Sequence, residues 1–209
     1  MTKIVIFGAA GRLGSRVATE ATSRGHEVTA VVRSSTELST ASNAVIGDST
    51  SPEFVRDLSR DADALVSTVG GPDKTIYVRT AQTLVETLTP FGDIGPRIIH
   101  SGGAGSLLDA GGHRIVDSPT FTPSFRDEAL GQSAALDYYR NSNSVTWTYI
   151  SPALNFAPGE RLGHYRTGDD HPVFDEHGLS SISFEDYAIA LIDEIERPSH
   201  LDTRFTVGY

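Results

Sequence analysis

The stretch Lys3-Ile4-Val5-Ile6-Phe7-Gly8-Ala9-Ala10-Gly11-Arg12-Leu13-Gly14 decides the fold. Its apolar run, Ile4 to Phe7 on consecutive positions, suits a strand covered on both faces, as a parallel sheet requires. Glycines spaced Gly-x-x-Gly-x-x-Gly follow at once, and residues 13–23 then carry apolar side chains near helical spacing. A strand, a glycine turn and a helix in that order open a βαβ unit.

The pattern continues outward. Strands are predicted at Lys3–Phe7, Glu27–Val32, 44–46, 64–69 and Arg97–Ser101, with helices over 13–23, 52–60 and 75–89 between them. This alternation predicts an α/β, Rossmann-like, doubly wound and mainly parallel sheet with helices on both faces. Residues 102–123 are rich in Gly, Pro, Ser and Thr and read as a long excursion after a strand. Beyond it, 124–141 reads as a helix and 145–150 as a sixth strand, while 156–180 is loop-rich with a short strand at 172–174. Phe184–Glu196 is a strong helix: Ser183 can cap it, and Tyr187, Leu191 and Ile195 form an apolar line. Residues 203–207 close the sheet. With no repeat, low-complexity block or linker, residues 1–209 are read as one domain with a small C-terminal substrate-side region.

Composition narrows the function. Seventeen Lys+Arg against 27 Asp+Glu give a net charge of −10, which argues against nucleic acid or an anionic membrane as partner. The absence of cysteine removes disulfides, thiolate metal sites and cysteine nucleophiles. No run reaches the roughly 18 apolar residues of a membrane span, and Ile4 to Phe7 reads as a strand and not a signal peptide. The expectation is a cytoplasmic protein, monomer or homodimer, acting on a small molecule.

Glycines at 8, 11 and 14 let the backbone turn sharply and approach a ligand. The amides of Gly8, Ala10, Gly11, Arg12, Leu13 and Gly14, at the positive end of a helix dipole, favour a pyrophosphate, so the loop is a dinucleotide candidate. A tight turn without a ligand is the alternative. The second strand ends in Arg33-Ser34-Ser35, where NAD-preferring sites place an acid. An arginine attracts a 2′-phosphate, and Arg12 adds a second positive group, so NADP(H) is predicted over NAD(H). Arg33 as an ordinary surface arginine is the alternative. Three further strand ends meet at the same edge of such a sheet: Gly47-Asp48-Ser49, Thr68-Val69-Gly70-Gly71 and Ser101-Gly102-Gly103. There Asp48 can accept from an adenine amino group.

The segment from Ile4 to Arg33, with its Gly-Ala-Ala-Gly-Arg-Leu-Gly, resembles the atypical short-chain dehydrogenases of the NmrA-like group. The stretches 101–107, 147–153, 158–166 and 204–209 resemble more narrowly the NAD(P)H–flavin reductase branch, related to biliverdin reductase B. That resemblance covers essentially the whole chain. It implies a Rossmann fold binding NADP and reduction of flavins or similar aromatic acceptors. It also implies that Ser101 stands at the active-site serine position, the single catalytic candidate.

The residues restrict the chemistry further. Alcohol-oxidising short-chain dehydrogenases use Tyr-x-x-x-Lys, in which the lysine lowers the tyrosine pKa for proton exchange. Here Tyr138 meets Ser142, Tyr139 meets Asn143 and Tyr149 meets Ala153, and lysine occurs only at 3 and 74. Hydride transfer to a conjugated acceptor such as FMN, FAD, riboflavin or a quinone demands less, because the product can take its proton from water. A non-catalytic NADP(H)-binding redox sensor of the NmrA-like type is the alternative. Ser101 can bond the nicotinamide amide or the acceptor, or simply satisfy loop backbone. Leu154 stands where biliverdin reductase B has a histidine, which counts against specific bilin protonation. Asn155 and Phe156 are candidate acceptor contacts, with Phe156 alternatively in the core. Tyr138, Tyr139 and His100 read as structural. His171, Asp175 and His177, with Asp169 and Asp170, lack helical metal-ligand spacing, so no metal is expected.

Overall fold

A computed structural model describes residues 1–34 and 43–209. In chain order its elements are β1 (Lys3–Phe7), α1 (Gly14–Ser23), β2 (Glu27–Val32), β3 (Asn43–Ile46), α2 (Pro52–Ser59), β4 (Ala64–Ser67), α3 (Ile76–Leu88) and β5 (Arg97–Ser101). After the excursion come α4 (Arg126–Arg140), β6 (Trp147–Ser151), β7 (Asn155–Ala157), β8 (Arg166–Gly168), β9 (Ser181–Ser183), α5 (Phe184–Glu196) and β10 (Thr203–Gly208).

Among the described residues the main sheet has eight strands in the order β3-β2-β1-β4-β5-β6-β10-β8, parallel throughout except for β8. The chain builds outward from β1 to β3, then returns to β4 on the other side of β1. That reversal opens a crevice at the carboxyl ends of β1 and β4, directly over the glycine turn.

Strand alternation sorts the core into two layers. Ile4 and Ile6 of β1 pack with Val17, Ala18 and Ala21 of α1 and with Ala188, Leu191 and Ile192 of α5. Val5 and Phe7 face the other way, onto Val55 of α2, Leu84 and Leu88 of α3, and Leu136 of α4. Small residues on α1 let it lie close to the sheet. Full burial of a side chain such as Phe7 contributes about 2 kcal/mol.

Helix starts follow local chemistry. Ser183 caps α5 by accepting from the Asp186 amide at 3.0 Å. Before α2, Ser51 accepts from the Phe54 amide at 3.5 Å, with Pro52 in the first turn.

Two expectations for the C-terminal region are corrected. Residues 172–174 form no strand; β8 lies earlier, at Arg166–Gly168, and runs antiparallel to β10. Pro172 has no amide to donate to a ladder, and Val173 plugs the space over Gly168 and Gly208, where an added Cβ would stand 3.1 and 3.0 Å from it. The loop-rich span is also flanked by β7 and β9, which pair in parallel as a separate two-stranded ribbon, Phe156 opposite Ile182. Each is three residues long, too short to carry a hydrophobic period.

Among the described residues, no helix is long and apolar enough to cross a membrane.

Candidate cofactor and active site

The three loop glycines do different work. Gly8 has φ +80°, and a Cβ there would stand 2.7 Å from the Thr68 carbonyl oxygen. At Gly14 a Cβ would fall 2.1 Å from the Gly8 carbonyl oxygen, so α1 can begin against the turn only with glycine. At Gly11 an added Cβ meets only the Gly8 carbonyl oxygen, at 3.1 Å, and otherwise points into open space. The turn closes through Gly11 N donating to Gly8 O at 2.9 Å.

Thr68 fastens this loop to the end of β4, since both its hydroxyl and its amide donate to the Phe7 carbonyl, at 2.8 and 2.9 Å. The amides of Ala10, Arg12, Leu13 and Gly14 reach no acceptor among the described residues. No acidic side chain occupies the first turn of α1. Such a cradle, unpaired N–H groups at a helix start with no carboxylate in place, fits a diphosphate. The Arg12 guanidinium rests 5.2 Å from the centre of the Phe184 ring, beside the cradle.

Arg33 is exposed at the end of β2 and forms no ion pair among the described residues; Ser35 lies outside them. Its Nη1 comes within 3.9 Å of the point where Gly71 would carry a Cβ, so the guanidinium spans the mouth between β2 and β4. Asp48 Oδ1 accepts from the Thr50 amide and hydroxyl, both at 2.8 Å, and so shapes the turn into α2. The Ser49 hydroxyl is engaged with Thr80 at 2.8 Å, which leaves only its main chain for a ligand. Val69 is half-buried against the α2–α3 side of the core. Gly70 is exposed, and a Cβ added there would stand 3.7 Å from the Tyr77 hydroxyl.

At the end of β5, Ser101 faces α5 and its Oγ lies 3.1 Å from the Tyr187 hydroxyl. Tyr187 in turn donates to the Ile150 carbonyl at 2.7 Å, which also receives the Gly102 amide at 2.8 Å. Gly102 admits no side chain, because a Cβ would overlap the Tyr149 ring at 2.0 Å. The sequence places Tyr187 only in an apolar line. The signal for more is the hydroxyl itself, which needs a partner when buried.

His100 points to the opposite face, as the strand alternation requires. Its Nδ1 pairs with the Tyr139 hydroxyl and its Nε2 with Gln132 Oε1, each at 3.1 Å. Tyr149 stacks on it, donates to the Gln132 carbonyl at 3.0 Å and receives the Gly103 amide at 3.2 Å. This buried network braces the Ser101–Gly103 turn from behind. Burial holds the His100 pKa down at about 4, and pushes the Tyr139, Tyr149 and Tyr187 hydroxyls up.

A pH dependence follows. The unfolded chain takes up the His100 proton near pH 6.5 and the folded one only near 4, so unfolding gains protons as pH falls through that window. The His100 contribution to stability is fully present above about pH 6.5 and is lost, by on the order of 3 kcal/mol, toward pH 4. Urea titrations at several pH values should therefore show a shallower acid slope for His100→Gln than for the parent; equal slopes would refute the assignment.

The remaining candidates scatter. Asn155 is exposed, with its amide on the Ser180 carbonyl at 2.9 Å. Phe156 is half-buried, 4.3 Å from Phe184 and 4.7 Å from Tyr187 between ring centres, and packs at the edge of the core. Leu154 next to them is exposed. Tyr138 donates to Glu86, and Tyr139 is buried in the core.

His171 contacts the Leu108 carbonyl, Asp175 accepts from the His177 and Leu179 amides, and Asp170 pairs with Arg204. Each is engaged by its neighbours, and the described residues contain no cluster of three metal-ligating side chains. Away from the crevice, a cavity of about 150 Å³ brings Arg114, Arg140 and Arg204 together with Asp137 and Asp170. Arg114 is further neutralised by Asp117 at 2.8 Å, so positive and negative groups balance there.

The family model described as NAD(P)H-binding matches residues 8–198. The chain is 35% identical over 210 residues to the uncharacterised protein YwnB of Bacillus subtilis (strain 168), an alignment that covers 98% of this chain and 97% of that one. Among solved structures it is similar to a provisionally named NADH-flavin reductase of Streptococcus pneumoniae TIGR4, with 33% identity, TM-score 0.91 and coverage of 100% and 99%. It is similar also to a provisionally named epimerase of Bacteroides thetaiotaomicron, with 35% identity, TM-score 0.91 and coverage of 100% and 97%. The two names assign different chemistry to one architecture, so reaction type has to be argued from side chains. With the cradle at the β1–α1 turn and the family match spanning most of its length, this chain belongs to the NAD(P)H-binding family.

Proposed function

We propose that the protein, as one domain over residues 1–209, is an NADPH-dependent reductase of flavins or similar conjugated acceptors such as quinones. The observation that carries this reading is the pairing of an amide cradle at the β1–α1 turn with an exposed guanidinium, Arg33, at the end of β2, neither engaged by a partner among the described residues. In it, Gly8, Ala10, Gly11, Arg12, Leu13 and Gly14 hold the diphosphate, and Arg33 holds the 2′-phosphate in forked geometry. Asp48 and the Ser49 main chain bound the adenine end, while Thr68, Val69, Gly70, Ser101 and Gly102 line the nicotinamide end. Asn155 and Phe156 flank the acceptor.

The bound dinucleotide supplies hydride, and the residues around Ser101 position the partners and exclude water. The absence of Tyr-x-x-x-Lys supports a conjugated acceptor over an alcohol or ketone. One of the two lysines, Lys74, is paired with Glu128 at 3.1 Å, and the other lies at the opposite end of β1. Steady oxidation of NADPH, followed by its near-ultraviolet absorbance on adding FMN or riboflavin, is the expected result. Tight NADP(H) binding with no acceptor-dependent oxidation would instead mark a sensor and refute the catalytic reading.

A further inference from the structure

Resting on that reading, we infer that Ser101 is an acceptor-only recognition group whose proton is fixed by Tyr187. It binds a hydrogen-bond donor, the carboxamide N–H of the nicotinamide, and does not protonate the acceptor. Counting protons assigns these roles. Tyr187 has one hydroxyl proton, and the Ile150 carbonyl, 2.7 Å away, can only accept it. The contact between Ser101 Oγ and Tyr187 Oη at 3.1 Å can then be satisfied only by the serine proton. Ser101, buried to 6% exposure, is left with lone pairs alone to offer.

The neighbouring hydroxyls are committed too. Tyr149 donates to the Gln132 carbonyl at 3.0 Å, and the Thr68 hydroxyl to the Phe7 carbonyl at 2.8 Å. Buried His100 faces the other side of the sheet, between Tyr139 and Gln132.

This narrows the substrate class. An isolated ketone or aldehyde needs a proton as hydride arrives, since its alkoxide is a poor product. A flavin or quinone does not. Such an acceptor gains two electrons and one hydrogen from the reduced nicotinamide, which is oxidised to the pyridinium. The resulting delocalised anion takes its proton from water and leaves hydroxide. Tyr187 is thus a positioning residue, acting through Ser101.

The test uses a nucleotide in which the donor alone is removed. In 3-acetylpyridine adenine dinucleotide phosphate a methyl ketone replaces the carboxamide, so the carbonyl remains and the N–H groups are gone. Calorimetry on the intact protein should show this analogue binding about tenfold more weakly than NADP+. The gap should close in Ser101→Ala and narrow in Tyr187→Phe. The double variant should lose no more than Ser101→Ala, because the two side chains form one unit.

A serine that donates to the carbonyl would bind both nucleotides alike, and that result overturns the proposal, as does a gap that persists in Ser101→Ala. Reduction of simple aldehydes at rates comparable to FMN, abolished in Ser101→Ala, also overturns it while leaving the reductase reading intact. If the parent protein bound neither nucleotide, reading and proposal would fall together.

Discussion

Replacing Gly11 with valine is expected to raise the dissociation constant for NADPH by about 100-fold or more while changing Tm by no more than about 3 °C. The two effects separate because of where the new side chain goes. Gly11 is exposed, its φ lies outside the left-handed region, and its added Cβ meets only one carbonyl oxygen, at 3.1 Å. The rest of the valine extends into the open side of the turn, whose amides at Ala10, Arg12, Leu13 and Gly14 reach no acceptor among the described residues. A phosphate cannot then approach those N–H groups, and the loss of even two charge-assisted hydrogen bonds accounts for the predicted drop.

Gly14→Ala serves as the control. There a Cβ lands 2.1 Å from the Gly8 carbonyl oxygen and 2.7 Å from Thr68 Oγ1, so the loop itself must move. Its expected effect is a destabilisation of about 2 kcal/mol or more, read by urea unfolding. A Gly11→Val protein that retains NADPH affinity would show that the ligand sits elsewhere.

Arg33→Asp is expected to weaken NADPH by about 100- to 1,000-fold and NADH by less than about fivefold. The parent arginine offers a forked donor at the end of β2, reaching toward Gly71, with no carboxylate partner among the described residues. Reversing the sign removes the attraction and adds repulsion toward the 2′-phosphate, which NADH lacks. Equal losses for the two nucleotides would defeat the assignment of the 2′-phosphate to this residue. Salt should diminish the difference, since Arg33 is exposed and screened.

The first half of the fold is readable because each element there satisfies a local rule. Lys3–Phe7, Glu27–Val32 and Arg97–Ser101 are short stretches built on β-branched apolar residues and bounded by Gly, Arg or turn residues, and they are strands with those limits. Phe184–Glu196 is likewise a helix with the predicted limits, since a serine cap and an early acid mark its start. β4 ends two residues earlier than the apolar pattern suggests, because Thr68 turns to donate twice to Phe7. β7, β8 and β9 escape sequence reading because three-residue strands are held by partners distant in sequence, such as Ser181 beside Asn155.

Site legibility divides along the same line. The glycine loop is local in its spacing and its Gly11–Gly8 turn, and only its fastening by Thr68 comes from another strand. The Ser101 environment is not local: Tyr187 comes from α5, 86 positions away, and Gln132 from α4. No spacing rule joins a strand-end serine to a tyrosine on the last helix. Ser49 carries the opposite problem, a strand-end hydroxyl that turns inward to Thr80 of α3 for reasons of packing.

The central claim is that main-chain amides at the β1–α1 turn bind the diphosphate of a pyridine dinucleotide. Isothermal titration of NADPH and, separately, NADH into the unmodified protein tests it most directly. Saturable one-site heat is predicted with NADPH, and binding at least about tenfold weaker with NADH. Absence of heat from both nucleotides, with the chain folded by circular dichroism, would contradict it.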